Sequence, residues 1–484
     1  MAMLAVAATI YFFRLGQAGF DDAEAYSAYI ASRTSVAAVL DASLQLDPGK
    51  GGGLYVFLLH WYCEVFGTGE AALRAFSATF ALASVVLVYA LAADLFSADI
   101  ALLAAGLWAF NPIALIVARW ARMYSMFIAL TIASLLAMRK VQRGPTIFRV
   151  ATFGVLGAAM LYTHLGSALM LAAEAAILAR DRWRGRAIAP TCAGLALAMV
   201  MFVPIAPAAF AQVRASALGH RFDWIGSAHQ MPLAIKLIAA LAAAVSTMLI
   251  VFGPPMALDR AEGTPRNSEP FRWCAIWSLL PLMALAAGSL ILHPMFEIRY
   301  IAPVVAGFAI MMAAVLERAA NRIRNLITVA IVAAFLTGAI LFNLYHRPFD
   351  LWQRIAHAVA AGGAPSEEVF FEAGYVMGLR KAAGANPESL VEVLPRGYLR
   401  IPFDYYFTGP NPRRAINPFR DTTARDAVAE SARRDGGAWL VSHMSDDDVA
   451  RELPSRAEFV CDRIIYDESV SVSLYHIIPR GDAR

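Results

Sequence analysis

Apolar stretches follow one another along the first 345 residues, and short polar loops separate them. A helix needs roughly 17–25 apolar residues to cross a bilayer, and most of these stretches reach that length. They are residues 1–13, 72–96, 100–118, 123–138, 146–179 (a hairpin of two), 188–210, 231–253, 273–292, 301–317 and 326–345. The pattern therefore predicts a polytopic α-helical membrane protein with about eleven transmembrane helices.

Arginine and lysine cluster in four of the short loops, and loops of this kind stay in the cytoplasm. The loops are Arg139–Arg149, Arg180–Arg186, Arg260–Arg272 and Arg318–Arg324. If all four face one side, an even number of helices separates each neighbouring pair. This parity predicts a multi-pass inner (plasma) membrane protein with a cytoplasmic N-terminus. It places the long loop 16–70 and everything after residue 345 on the outer face.

Residues 346–484 have the ordinary polar composition of a soluble domain. We expect a transmembrane domain at 1–345 and a separate periplasmic or extracytoplasmic domain at 346–484. The segments Glu368–Phe371, Ala438–Ser442 and Ser471–Ile478 are typical of β-strands, and the pattern at Thr422–Arg434 predicts a helix. These elements indicate a small α/β fold.

The composition excludes several classes of function. Hydrophobic residues make up 59% of the chain and charged residues 16%, with a formal net charge of +4. The few cations are spread over loops, so they form no basic stripe for a nucleic acid. The four cysteines, Cys63, Cys192, Cys274 and Cys461, have no metal-binding or redox spacing, and we interpret them as structural.

The first outer loop begins with an unusual acidic cluster formed by Asp21, Asp22 and Glu24. Carboxylates this close together raise one another's pKa, which suits a general base. The alternative is an acidic turn that caps the helix beginning near Ala25.

Three cations from separate outer loops, Lys50, Arg122 and Arg299, are candidates to bind a phosphate near those carboxylates. Lys50 lies in a glycine-rich segment whose backbone can approach a ligand closely. Each residue also has a simpler interpretation. Lys50 fits a flexible loop, Arg122 and Tyr124 fit interface anchors, and Arg299 fits a local ion pair with Glu297.

Several short motifs in the first 350 residues resemble the GT-C-type glycosyltransferases of the dolichyl-phosphate-mannose protein mannosyltransferase and aminoarabinose transferase kind. The segments are Asp21-Asp22-Ala23-Glu24, Gly52-Gly53-Leu54-Tyr55, Leu58-Leu59-His60-Trp61, Phe66-Gly67, Leu73-Arg74, Ala121-Arg122-Met123-Tyr124-Ser125, Tyr162-Thr163-His164 and Glu297-Ile298-Arg299-Tyr300 ahead of Pro303. Two departures stand out: Ala23 splits the acidic pair, and glycines replace two prolines before Leu54.

The resemblance implies an enzyme that transfers a hexosyl or pentosyl group from a polyprenyl-phosphate-linked sugar to an acceptor hydroxyl on the outer face, with inversion. Its implied site residues fall into three groups. They are the catalytic carboxylates Asp21, Asp22 and Glu24; the donor-phosphate residues Lys50, Arg122, Tyr124, Arg299 and Tyr300; and the pocket residues Tyr55, His60 and His164.

The expected partners are this donor, membrane lipids and a lipid, protein or glycan acceptor, without nucleic acid. Three cations can neutralise a monophosphate, so no metal is required, although a divalent cation bound by the acidic cluster is an alternative. The sequence does not identify the sugar or the acceptor.

The competing function is a polytopic transporter or a flippase for glycolipid precursors. The near absence of charge within the stretches and of internal repeats argues against it.

Overall fold

The computed structural model describes residues 1–46, 53–181, 187–210, 269–291, 298–317, 350–372, 399–416, 422–443, 458–467 and 472–480, with scattered positions between 322 and 338. These residues form two compact units. The first contains the described residues of Met1–Leu15 and Arg33–His346, and the second joins Gly16–Ser32 to Arg347–Arg484. We call them the helical unit and the C-terminal unit.

The helical unit is built from helices that pack both on their sequence neighbours and on helices further along the chain. Within its described residues they are α1 (Ala2–Phe12), α3 (Val36–Leu46), α4 (Leu54–Phe66), α5 (Glu70–Leu95), α6 (Ala98–Ala109), α7 (Pro112–Ala118), α8 (Tyr124–Arg143), α9 (Ile147–Thr163), α10 (Ser167–Asp181), α11 (Ile188–Phe202), α12 (Glu269–Ile291) and α13 (Ile298–Leu316). Helix α5 packs against α6 and α8, and α9 packs against α8 and α11.

Three of the described helical segments are long and apolar enough to cross a bilayer: Glu70–Leu95, Tyr124–Arg143 and Ile188–Phe210. A bent pair, Ala98–Ala109 with Pro112–Ala118, gives a fourth if it is one crossing. The predicted stretches at 231–253 and most of 326–345 lie outside the described residues. The count of about eleven spans stays a prediction.

The stretch predicted to cross the membrane at 100–118 forms two helices, α6 and α7, which meet at an angle of 60°. The break falls at Asn111, whose side chain accepts a 2.9 Å hydrogen bond from the amide of Ile113. Pro112 follows at the first position of α7, where its missing amide hydrogen costs nothing. An N-cap and a proline therefore start a new helix here.

Two arginine side chains bind backbone carbonyls at and just after the end of α1, before the acidic segment. Arg74 donates a 2.8 Å hydrogen bond to the carbonyl of Leu15, and Arg119 donates to the carbonyls of Phe13 at 2.5 Å and Ile10 at 3.3 Å. Unpaired carbonyls at a helix C-terminus attract positive charge. These two arginines thus satisfy carbonyl groups that the end of α1 leaves without a helical partner.

The C-terminal unit contains a five-stranded sheet in the order β2-β1-β3-β5-β4. The strands are β1 (Glu368–Glu372), β2 (Arg413–Ile416), β3 (Ala438–Ser442), β4 (Phe459–Asp467) and β5 (Val472–Pro479). Strands β2, β1 and β3 are parallel, whereas β5 runs antiparallel to β3 and to β4. The predicted strands occur as β1, β3 and β5, within one residue of the predicted bounds, and β2 and β4 were not predicted.

Four helices accompany this sheet among the described residues: α2 (Asp22–Ala31), α14 (Leu351–Gly362), α15 (Arg400–Tyr406) and α16 (Thr422–Asp435). Side chains alternate between the two faces of a strand. Val369, Phe371 and Trp439 share a buried cluster with α14 and the Leu399–Phe407 region. Phe370 and Leu440 share another with α16. The sheet therefore has a hydrophobic core on each face.

Candidate active site

The acidic segment forms the start of α2 in the C-terminal unit. Asp21 is the N-cap: its Oδ1 accepts a 2.7 Å hydrogen bond from the amide of Glu24, and Glu24 Oε2 accepts one of 3.2 Å from the amide of Asp21. This reciprocal pair is a capping box. Asp21 and Glu24 thus act as the helix cap that was the alternative interpretation of the acidic cluster.

Asp22 has a different environment from its two acidic neighbours. Its side chain is 6% exposed, and its Oδ1 accepts a 2.7 Å hydrogen bond from the indole Nε1 of Trp352. Burial raises the pKa of the Asp22 carboxyl, and the hydrogen bond from Trp352 opposes that rise in part. The positive charge of protonated His443 lowers this pKa further, and the negative charge of Asp467 raises it.

Two aromatic residues of α15 hold the residue that precedes the acidic cluster. The amide of Phe20 donates a 2.6 Å hydrogen bond to the hydroxyl of Tyr406, and the Phe20 ring lies 5.0 Å from that of Tyr405. Both contacts join positions that are far apart in the sequence. The acidic segment is consequently fixed within the C-terminal unit by a backbone hydrogen bond and by ring packing.

The carboxyl ends of the parallel strands β1 and β3 carry a second polar group. Glu372 Oε2 accepts hydrogen bonds from the Ser442 hydroxyl at 2.6 Å and from the amide of His443 at 2.7 Å. Ligands of α/β sheets bind outside this edge. His443 and Asp467, which influence Asp22, stand at the ends of β3 and β4, so Asp22 is electrostatically coupled to this edge.

The helical unit brings together three of the predicted residues from distant parts of the sequence. The imidazole of His164 lies 5.8 Å from the Tyr124 ring and 5.2 Å from the Tyr300 ring. Phe127 stacks on His164 at 5.0 Å, and Trp120 stacks on Tyr124 at 5.1 Å. His164 is 4% exposed, and its Nδ1 accepts a hydrogen bond from the amide of Gly166 at 2.9 Å. We call these five rings the His164 cluster.

Arg122 connects to Tyr55 through the Ser77 hydroxyl. Tyr55 and Ser77 are 2.8 Å apart at their oxygens, and the Ser77 hydroxyl lies 3.2 Å from the Arg122 carbonyl that accepts its hydrogen bond. All three residues are buried. The motifs that begin α4 and precede α8 are thereby joined across α5.

The remaining predicted residues are only partly described. Lys50 lies in residues 47–52, outside the described residues. Arg299 lies in the first turn of α13, and its side chain is outside the description as well. His60 is buried on α4, with its ring 5.5 Å from that of Trp61. Within the described part of the chain, no three His, Cys, Asp or Glu side chains converge as metal ligands.

Sequence reasoning missed Trp352, Tyr406 and the Glu372–His443 group. Their contacts with each other or with the acidic segment are long-range, and no motif marks them. The one available signal was the position of Ser442 at the carboxyl end of a predicted strand, where polar side chains often bind ligands.

A small cavity of about 180 Å³ lies elsewhere in the helical unit, at the predicted cytoplasmic ends of α5 and α8. Asp94, Arg139, Arg143, Glu269 and Trp273 line it. Asp94 forms a 3.0 Å ion pair with Arg139 and a second one with Arg143. None of these residues belongs to the predicted site.

A family model and solved structures both resemble this chain. The family model for dolichyl-phosphate-mannose-protein mannosyltransferases matches residues 53–208, so the resemblance expected from the motifs is confirmed. This match spans less than half of the chain. It includes Tyr55, His60, Arg122, Tyr124 and His164 and leaves out the acidic segment and the C-terminal unit.

Two solved structures of ArnT from Cupriavidus metallidurans have a similar fold. The apo structure superposes with a TM-score of 0.56 at 16% identity, covering 98% of this chain and 97% of that one. The structure bound to undecaprenyl phosphate gives a TM-score of 0.54 at the same identity and coverage. No curated protein sequence matches the chain.

Proposed function

We propose that this chain is a glycosyltransferase that moves a sugar from a polyprenyl-phosphate-linked donor to an acceptor hydroxyl on the outer face of the inner membrane. The observation that carries the proposal is the environment of Asp22. The neighbouring carboxylates cap a helix, whereas Asp22 is buried and hydrogen-bonded to an indole. ArnT, whose fold is similar, has been seen with undecaprenyl phosphate.

In this mechanism Asp22 acts as the general base. Its carboxylate accepts the proton of the acceptor hydroxyl while that oxygen forms a bond to the anomeric carbon. The bond between the anomeric carbon and the phosphate oxygen breaks, and the electron pair leaves with the phosphate. Attack from the opposite face inverts the configuration, and polyprenyl phosphate is the second product.

Burial of Asp22 suits this role for a thermodynamic reason. A carboxylate with an ordinary pKa is too weak a base to take a proton readily at neutral pH, and a raised pKa brings it closer to the working range. Burial raises the pKa of Asp22, and the hydrogen bond from Trp352 opposes part of that rise, so the carboxyl keeps part of its anionic character. Asp21 and Glu24 then serve by holding the first turn of α2.

The proposed donor site belongs to the helical unit. Arg122, Lys50 and Arg299 neutralise the charge that gathers on the leaving phosphate. Tyr124, Tyr300 and His164 pack as one cluster, which gives a sugar or phosphate an aromatic wall. Tyr55 supports Arg122 through Ser77. By its resemblance to the glycosyltransferase motif, His60 of α4 is also a residue of the donor pocket.

The orientation is part of the same proposal. The N-terminus is cytoplasmic, the arginine-rich loops face inward, and the C-terminal unit is periplasmic or extracytoplasmic. The acceptor is a lipid, protein or glycan hydroxyl on that side.

A transporter or lipid flippase is the competing function, and one observation favours it. Glu174 is fully buried in the apolar helix α10, where its Oε2 accepts a 3.1 Å hydrogen bond from Ser134 of α8. Carboxylates within a membrane often belong to ion or proton pathways.

Release of polyprenyl phosphate distinguishes the two functions. The purified protein is incubated in detergent micelles with a radiolabelled polyprenyl-phosphate sugar and a panel of acceptors, with Asp22→Asn as the matched control. A transferase forms polyprenyl phosphate and a labelled product. A donor that stays intact with every acceptor, together with its movement across vesicle membranes, would establish the transporter instead.

A further inference from the structure

We propose that Trp352 is a positioning residue for the Asp22 carboxylate, so that helix α14 helps to build the catalytic base. The inference rests on the proposed function, in which Asp22 is that base. It assigns a role to a residue 330 positions away from the acidic motif.

The geometry supports a specific contact. Trp352 Nε1 lies 2.7 Å from Asp22 Oδ1, and the Trp352 side chain is 1% exposed. An indole N–H can only donate, so its partner must offer a lone pair. A hydrogen bond from a neutral donor to a carboxylate is stronger than one between two neutral groups. The contact therefore favours the charged form of Asp22, the form that accepts a proton.

Both partners are held rigidly. Trp352 is in the second position of α14 and belongs to the buried cluster that includes Leu351, Ile355 and Phe371. Asp22 is in the first turn of α2, which the capping box fixes in place. Because Trp352 cannot rotate away without breaking this packing and Asp22 is buried, one oxygen of the carboxylate has a defined direction.

Other groups also act on Asp22, and they define the control measurements. His443 and Asp467 influence it from the strand ends with opposite signs, and Asp21 and Glu24 are its neighbours on α2. Trp352 differs from all four because it carries no charge. Its removal changes the proton affinity of Asp22 without changing the net charge of the site.

A simpler role for Trp352, as a core residue only, predicts different behaviour. Trp439 offers the comparison, because it is equally buried and belongs to the same cluster. Its indole Nε1 donates no hydrogen bond within the described residues. Trp439→Phe thus removes similar bulk from the same core without touching Asp22.

The test compares Trp352→Phe with Trp439→Phe in the full-length protein, using polyprenyl-phosphate release measured from about pH 4 to pH 9. With the hydrogen bond from the indole lost, we expect kcat to fall about tenfold or more. The KM for the lipid-linked sugar should stay within about twofold. The acidic limb of the kcat profile should move about one pH unit upward, because the carboxylate has lost a stabilising donor. Trp439→Phe should leave that limb in place.

Incorporating benzothienylalanine at position 352 keeps the ring shape and replaces the N–H by sulfur, so it covers the case in which Trp352→Phe destabilises the fold. An upward shift of the acidic limb with this residue supports the proposal, and a limb at the wild-type position overturns it. If the wild-type protein releases no polyprenyl phosphate, the proposed function fails. Isotope-edited infrared titration of Asp22, with Asp22→Asn as the reference, then still decides whether Trp352 sets its protonation.

Discussion

The hydroxyl oxygens of Tyr55 and Ser77 lie 2.8 Å apart in the interior of the helical unit, and the Ser77 hydroxyl donates a hydrogen bond to the backbone carbonyl of Arg122. The glycine-rich motif before α4 and the arginine motif before α8 are thereby linked, although 67 positions separate Tyr55 from Arg122. If Arg122 binds the donor phosphate as proposed, this link gives the uncharged Tyr55 a way to affect that binding. It acts on the loop that presents the arginine.

Tyr55→Phe should therefore weaken donor binding more than it weakens the fold. Losing one neutral hydrogen bond costs about 1 kcal/mol, which corresponds to about a fivefold rise in the donor KM if the loop loosens. The measurement is the KM for the lipid-linked sugar, beside the melting temperature. Tyr11→Phe is the control, because Tyr11 loses a comparable buried bond to the Ala109 carbonyl. An equal rise in KM for both variants would refute the link.

His164 allows packing to be separated from chemistry. His164→Phe keeps a ring between Tyr124, Phe127 and Tyr300 but removes the acceptor for the Gly166 amide. We expect unfolding stability to change by about 1 kcal/mol, with turnover reduced at least tenfold if the imidazole contacts the substrate. His164→Ala should lower both, since it deletes three ring contacts. Full turnover in His164→Phe would assign His164 to packing alone.

The pH dependence of stability follows from Asp22. Burial raises the pKa of its carboxyl above the ordinary value of 3.8, so the folded protein holds a proton that the unfolded chain has released. Between these two pKa values the folded state binds more protons, and stability falls as pH rises. Asp22→Asn keeps an acceptor for Trp352 and removes this loss.

Thermal unfolding in detergent between about pH 4 and pH 8 measures that effect. Above the pH range between the unfolded and folded pKa values of Asp22, the Asp22→Asn variant should melt at a higher temperature than the wild type. Within that range its melting temperature should fall less steeply as pH rises. Asp21→Asn is the control, since asparagine is an equally good N-cap. Identical slopes for Asp22→Asn and the wild type would show that Asp22 titrates normally.

Glu174 distinguishes the transferase from the transporter in a second way. Glu174→Gln retains an oxygen that accepts the Ser134 hydrogen bond, so the helices should pack as before. A transferase that uses Asp22 should keep its turnover within about twofold, because a neutral amide replaces a group outside the proposed site. Loss of sugar transfer in this variant, with an unchanged melting temperature, would argue for an intramembrane function of Glu174.

Much of the local structure could be predicted from the sequence because its determinants are local. Asp21 and Glu24 have the spacing of a capping box, and α2 begins at Asp22, near the predicted Ala25. Strand β3 is buried on both faces and reads as a continuous apolar run. The edge strands β2 and β4 were missed because β2 has only four residues and the apolar run of β4 is interrupted by Asp462 and Arg463 in its middle.

The site was harder to predict, since its contacts depend on the folded chain. Tyr124, His164 and Tyr300 each stood out in a motif, but only the packing of α8, α9 and α13 brings their rings together. The proposal of Asp22 over Asp21 rests on the hydrogen bond from Trp352, which lies 330 positions later in the sequence. A tryptophan in an amphipathic helix looks like a core residue and carries no signal of such a role.

The central claim is that Asp22 is the general base, and the most direct test compares Asp22→Asn with Asp21→Asn in single-turnover release of polyprenyl phosphate from saturating labelled donor. We expect Asp22→Asn to slow release by a factor of about 10²–10⁴ while donor binding is preserved. Asp21→Asn should stay within a few-fold of wild type because it preserves the cap. Release by Asp22→Asn at the wild-type rate would contradict the assignment.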